Sequence, residues 1–141
     1  VVKGCLGLEF DNVNFRAFYE SYPFTVIELE KVVYGADYAG RMDILCTIDS
    51  KNKKKWEKIE GVVYDEPVIL DLKSGTELDQ ISGLTQQSAY AIADGVKHIG
   101  LIHLTKKNQQ GFSKPVVSSN IERYWNLFSK KRETFRKRYG I

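Results

Sequence analysis

Val68-Ile69-Leu70-Asp71-Leu72-Lys73-Ser74-Gly75 opens as an apolar run and ends in charge. Strand alternation puts Ile69, Asp71 and Lys73 on one face and Val68, Leu70 and Leu72 on the other. A carboxylate and an ammonium thus emerge together at the end of a strand whose neighbours are apolar. Chains rarely bury such groups without a partner or a task. A second acid sits upstream in a similar setting, Asp43 within Gly40-Arg41-Met42-Asp43-Ile44-Leu45. If the two strands are neighbours, Asp43 and Asp71 can converge on one hard cation, with water in the remaining positions. Lys73 would then stabilise charge developing at a substrate phosphorus or orient an attacking water. Taken alone, Asp-x-Lys also describes a surface ion pair at a strand end.

The rest of the chain frames this strand. Asn12 to Ser21 reads as a helix closed by Pro23, Thr25 to Tyr34 as a β-branched strand, and Gly35-Ala36-Asp37 as a turn. Tyr38 to Ile48 is the expected antiparallel partner. Asp49 to Lys55 is a polar, lysine-rich connection, and Trp56 to Val63 reads as an extension of the hairpin. Asp79 to Gly95 is expected to be a helix with Ile81, Leu84, Ala91 and Ile92 buried. His98 to Thr105 reads as a central strand, Lys106 to Gly111 as a loop and Val116-Val117 as an edge strand. Asn120 to Tyr139 reads as an amphipathic helix with Ile121, Tyr124, Leu127 and Phe128 on its apolar side. The order α-β-β-β-α-β-(β)-α predicts an α/β fold, a central mixed sheet flanked by helices.

Composition narrows the class of protein. A length of 141 residues suits one domain with a real core, and 43% hydrophobic with 28% charged residues is ordinary for a globular chain. No apolar run approaches the roughly 20 residues of a membrane span. The opening Val1-Val2-Lys3-Gly4-Cys5-Leu6 meets Glu9 and Asp11 too soon for a signal peptide. Cys5 and Cys46 form neither a disulfide framework nor a zinc knuckle, so a cytoplasmic setting is expected. No Gly-x-Ser-x-Gly elbow or phosphate-cradling glycine loop is present. The net charge of +3 is small, but Lys and Arg gather in runs. These are Lys51, Lys53, Lys54 and Lys55; Lys106 and Lys107; and Lys130, Lys131, Arg132, Arg136, Lys137 and Arg138. Such runs suit a phosphate backbone, and equally a solvated surface.

As a whole the pattern from about Val26 to Ala93 resembles the PD-(D/E)xK nuclease superfamily, particularly its RecB-like and phage-exonuclease branches. The resemblance rests on four pieces in order. They are Glu30 on a strand, Tyr38 to Asp43, the Asp71-Leu72-Lys73-Ser74-Gly75 strand end, and a helix carrying Gln86-Gln87-Ser88-Ala89-Tyr90. The last looks like the Q-x-x-x-Y motif of RecB-like nucleases, with Gln86 and Tyr90 one helical turn apart. The resemblance implies a restriction-endonuclease-like α-β-β-β-α-β core. It also implies a deoxyribonuclease, exonuclease or endonuclease, in phage or bacterial DNA processing, recombination or repair. By position, Asp43, Asp71 and the Leu72 carbonyl would hold Mg2+, with Mn2+ as substitute, and Lys73 would be catalytic. Gln86 and Tyr90 would line the site. Glu30 is a further metal candidate, ranked above Glu28 and Glu20. Ser74 and the Lys51–Lys55 connection would contact single- or double-stranded DNA, the connection flanking the cleft as a flexible tip.

Three features depart from that pattern. Arg41-Met42 replaces the proline before the first acid, and the spacing from Asp43 to Asp71 is long. The histidine that RecB-like members often carry in an N-terminal helical segment has no match, because His98 and His103 lie downstream and His103 reads as a core or strand-end residue. The Val1 start leaves room for a missing N-terminal segment. The competing reading is a non-catalytic nucleic-acid-binding module on a degenerate nuclease fold, with Trp56, Tyr64 or Tyr124 stacking bases.

Overall fold

The computed structural model describes residues 13–105 and 108–139. The helix start at Asn12, Cys5 with the opening segment, and Lys106 and Lys107 lie outside the described residues. Helix α1 (Val13–Ser21) leads into β1 (Thr25–Tyr34) and β2 (Ala39–Thr47). A 3-10 turn (Ser50–Asn52) and the short helix α2 (Lys53–Trp56) connect β2 to β3 (Pro67–Ser74). Helix α3 (Gln80–Asp94), β4 (His98–Leu104), β5 (Val116–Ser118) and α4 (Ile121–Tyr139) complete the chain. The expected α/β class is observed: one sheet in the order β1-β2-β3-β4-β5, flanked by helices. Among the described strands β3 and β4 run parallel, joined by the crossover helix α3, and the other neighbours are antiparallel.

The alternation in β3 sorts the core into two clusters. Val68 and Leu70 pack with Phe15, Phe18 and Trp56 on the α1 side. Ile69 packs with Leu84, Ala91, Leu101 and Tyr124 on the side of α3 and α4. Asp71 and Lys73 share the Ile69 face, as read from the sequence. Helix α3 begins on an Asp79 side chain that accepts from the Ser82 N–H and ends on Gly95 at φ 71°. Its buried face runs through Gly83, Leu84, Gln87, Ser88 and Ala91. A Cβ on Gly83 would come within 2.9 Å of Leu101, so the missing side chain is what lets α3 lie close on β4. Ile81 and Ile92, expected in the core, flank that face and are half exposed.

The second departure is at Trp56 to Val63, which does not extend the hairpin. Trp56 and Ile59, three residues apart, are both buried, a helical spacing rather than a strand's. Trp56 is fully buried and its Nε1 donates to the Pro23 carbonyl at 2.9 Å, which ties α2 to the turn after α1. The lysine-rich segment is therefore a short ordered helix rather than a flexible tip.

Candidate active site

The β2–β3 ladder closes with Ile44 opposite Leu70. The next residues along each strand are Asp43 and Asp71, so the two acids flank the point where the strands part. Asp43 reaches across: its Oδ2 accepts from the Leu72 N–H at 3.0 Å. In an extended strand a residue's N–H and C=O point to the same side, so the Leu72 carbonyl is aimed into this gap as well. Leu72 N–H needs this acceptor because the ladder to β2 has ended.

Asp71 is only 7% exposed. Its Oδ2 lies 2.8 Å from Lys73 Nζ, a charge-assisted contact at hydrogen-bond distance. Burial, and after it the neighbouring Asp43 carboxylate, push the Asp71 pKa up to about 7, against the pull of Lys73. A carboxyl group is thus held near half-protonation at neutral pH, an arrangement that is common at working sites.

Helix α3 supplies the opposite wall. Gln86 Nε2 donates to Tyr90 Oη at 3.0 Å. The Tyr90 pKa is raised, chiefly by burial and further by the nearby Asp71 and Asp43 charges, while Gln86 and Lys73 oppose this. Tyr90 also leans over β2: a Cβ on Gly40 would sit 2.1 Å from its Cε1. Of these groups Lys73 and Gln86 line a cleft of about 430 Å³, together with Ser74, Phe128 and Lys131 and with Glu77 and Asp79 at its α3 end, whereas Asp43, Asp71 and Tyr90 do not line it. In the sequence Lys131 is visible only as one of a basic run. Its place opposite Lys73 depends on how α4 docks on α3.

Other candidates do not join this group. Glu30 is 69% exposed and its carboxylate lies 4.0 Å from Arg41. Its φ of 52° is left-handed, and the strand reverses its facing there: Leu29 packs on the α1 side, whereas Val33 packs on the other. Simple alternation through β1 therefore fails at the residue expected as a further ligand. Glu28 lies 3.7 Å from Lys31, which is held by Asp94. Among the described residues, no group of three or more His, Cys, Asp or Glu gathers as a metal cluster. His103 Nε2 bonds the Gly75 carbonyl at 2.8 Å, a strand-end role.

The lysine-rich connection lies at the wrong end of the strands to flank the cleft. It follows Thr47, whose partner is Pro67, while Lys73 is near the other end of β3. Six residues of strand, about 20 Å, separate Pro67 from Lys73. Lys55 donates to the Glu20 carbonyl at 3.1 Å, Lys51 faces Asp49 at 3.9 Å and Lys53 lies over the Tyr64 ring. If the chain binds DNA, neutralising Lys51, Lys53, Lys54 and Lys55 together is expected to leave that affinity and its salt slope unchanged. A log–log slope flattened by about 0.9 for each phosphate no longer neutralised would instead put the DNA backbone on this segment.

No family model and no curated protein matches the chain. A solved structure described as "Crystal structure of SSO0001" is similar at 12% identity and a TM-score of 0.41 over 92% of this chain. The chain spans 56% of the length of that structure.

Proposed function

We propose that this chain hydrolyses phosphodiester bonds of DNA with a divalent cation, Mg2+ or Mn2+, held by Asp43 and Asp71. The reading is carried by one observation: a buried carboxylate, Asp71, is pressed against a second one where two strands part. A fold bears that electrostatic cost when a cation relieves it. The donor set fits a hard ion. It consists of oxygens alone, with the Leu72 carbonyl facing the same gap. A divalent cation held there would supply Lewis-acid polarisation of the phosphoryl group and a more acidic water.

The side chains divide the remaining work. Lys73, whose ammonium is held on Asp71 and which lines the cleft, sets positive charge beside the scissile phosphate, where negative charge builds. Because Gln86 donates to Tyr90 Oη, the phenolic proton is left for another acceptor. A phenol keeps that proton at neutral pH, and burial only reinforces this, so Tyr90 acts as a neutral donor positioning the backbone. Lys131 and Ser74 line the entry and offer phosphate contacts.

The deciding assay incubates labelled DNA, single- and double-stranded, linear and circular, with Mg2+, with Mn2+ and with EDTA. Cleavage that requires the cation and returns on its readdition is the expected result. Circular substrates separate end-dependent from internal cutting. If no substrate is cut in either metal, the hydrolytic reading fails and a binding module remains.

A further inference from the structure

Three polar side chains meet at the end of the sheet far from Lys73. The β4–β5 ladder sets Ile99 opposite Ser118, which brings His98 and Ser119 side by side one step further on. The β3–β4 ladder sets Val68 level with His98, and Glu66 lies just before β3 begins at Pro67. The contacts follow from that register. Ser119 Oγ lies 2.7 Å from His98 Nδ1, and His98 Nε2 lies 3.3 Å from Glu66 Oε1. Along β4 about 17 Å of strand separates His98 from His103, the partner of Lys73, so this group stands apart from the cleft.

The outer members fix the direction of both bonds. A carboxylate only accepts, so Nε2 carries its proton toward Glu66. In the neutral ring Nδ1 is then a bare acceptor, and the Ser119 hydroxyl donates to it. His98 is only 7% exposed, whereas Ser119 is exposed to solvent. A serine proton aimed at an imidazole that a carboxylate orients is the arrangement that makes a hydroxyl nucleophilic. Here Nδ1 rather than Nε2 takes the proton, the reverse of the common hydrolase triad, and either ring nitrogen can do so. Helix α4 begins directly after Ser119, with the Asn120 side chain accepting from the Arg123 N–H at 3.3 Å. The Ile121 and Glu122 N–H groups have no acceptor within the helix, and they can stabilise a negative oxygen formed beside Ser119. Register rather than a local motif makes this group, so Val117-Ser118-Ser119-Asn120 gives no sign of it in the sequence.

We propose that Ser119 is a nucleophile, activated by His98 and Glu66, that takes acyl groups from small esters. On attack the bond from Oγ to the acyl carbon forms and the ester carbon–oxygen bond breaks. The hydroxyl proton passes through His98 Nδ1 to the departing alkoxide. Water then attacks the acyl-serine, giving a proton to Nδ1, and the acid leaves as Ser119 Oγ takes that proton back. An exposed serine meets its ester at the surface, so small esters with a good leaving group are the substrate class. The proposal is independent of the nuclease reading.

A fluorophosphonate tests it, because its phosphorus accepts the serine oxygen and its fluoride departs. The full chain should gain a single adduct, placed on Ser119 by peptide mass and missing from Ser119→Ala. His98→Gln should slow labelling by at least about 10²-fold. Because His98 is buried and its loss can unsettle the sheet, exposed Glu66 gives a second variant. Glu66→Gln should label roughly tenfold more slowly at an unchanged thermal midpoint. With p-nitrophenyl acetate the wild type should release nitrophenolate continuously, and Ser119→Ala should not exceed buffer. A wild-type chain left unlabelled at Ser119 overturns the proposal. So does a labelling rate unaltered in both His98→Gln and Glu66→Gln, which would make Ser119 an ordinary surface hydroxyl, and so does equal ester hydrolysis by Ser119→Ala.

Discussion

Asp71→Asn is expected to lower cleavage by at least about 10³-fold and, at the same time, to stabilise the metal-free protein at pH 8. The two effects share a cause. In the native state the Asp71 pKa is raised to about 7 from 3.8, mainly by burial and next by Asp43. Between those values the folded protein binds a proton that the unfolded chain has released. Stability from this group is therefore fully present below about pH 4 and is lost as pH rises through about 7. At pH 8 the wild type carries a buried charge that asparagine removes at nearly constant shape. After screening by solvent in the cleft the gain is roughly 1–2 kcal/mol, or about 3–6 °C in melting temperature. At pH 4 wild-type Asp71 is neutral, so the two proteins should melt nearly together. Added Mg2+ should raise the wild-type midpoint at pH 8 and leave that of the variant almost unmoved. DNA binding in EDTA should persist, because the substitution takes away a negative charge and leaves Lys73 and Lys131 in place. Thermal melts at pH 4 and 8, with and without Mg2+, test the set. A variant that melts below wild type at pH 8 would show that Asp71 is a structural ion-pair partner of Lys73.

Much of this site is legible in the sequence because it depends on local periodicity. Two-residue alternation in β3 places Asp71 and Lys73 on the α3 face, and the four-residue spacing of Gln86 and Tyr90 gives the observed hydrogen bond. Asp79 and Gly95 bracket α3 as cap chemistry dictates. The failures have physical causes of another kind. Lys53 to Trp56 reads as a loop leading into a strand, yet Trp56 finds a buried slot beneath Pro23 that only the tertiary fold provides. Ile81 and Ile92 have the spacing of core residues, but small residues form the face that packs closely on β4. Glu30 follows simple alternation until its left-handed backbone turns the strand. The basic runs are visible as composition. Which of them meets the cleft depends on strand direction for Lys51–Lys55 and on helix docking for Lys131, and neither is written in local spacing.

Gly40→Ala is expected to reduce turnover by roughly ten- to a hundredfold while the fold survives. Gly40 lies on β2 opposite Val33, and its φ is outside the left-handed range, so alanine fits the backbone there. The added methyl, however, would stand 2.1 Å from Tyr90 Cε1, 2.7 Å from its Cζ and 2.9 Å from its Oη. Those atoms are the far end of a rotatable side chain, so the ring gives way before the sheet does. The stability cost should stay within the roughly 1–3 kcal/mol of ordinary overpacking. The functional cost is larger, because the displaced phenol gives up its 3.0 Å bond with Gln86 and its place beside Asp71 and Lys73. On the proposed nuclease reading, Tyr90 would then no longer orient the backbone that Lys73 addresses. A double-mutant cycle isolates this route. If glycine matters by making room for the ring, Gly40→Ala should cost little further activity in a Tyr90→Ala background, where nothing remains to collide. Independent, additive losses would mean that alanine harms the strand itself, and Gly40 would then have no part in placing Tyr90. Measuring kcat separately from binding in EDTA adds a second check, since a misplaced positioning group lowers kcat with DNA affinity nearly unchanged.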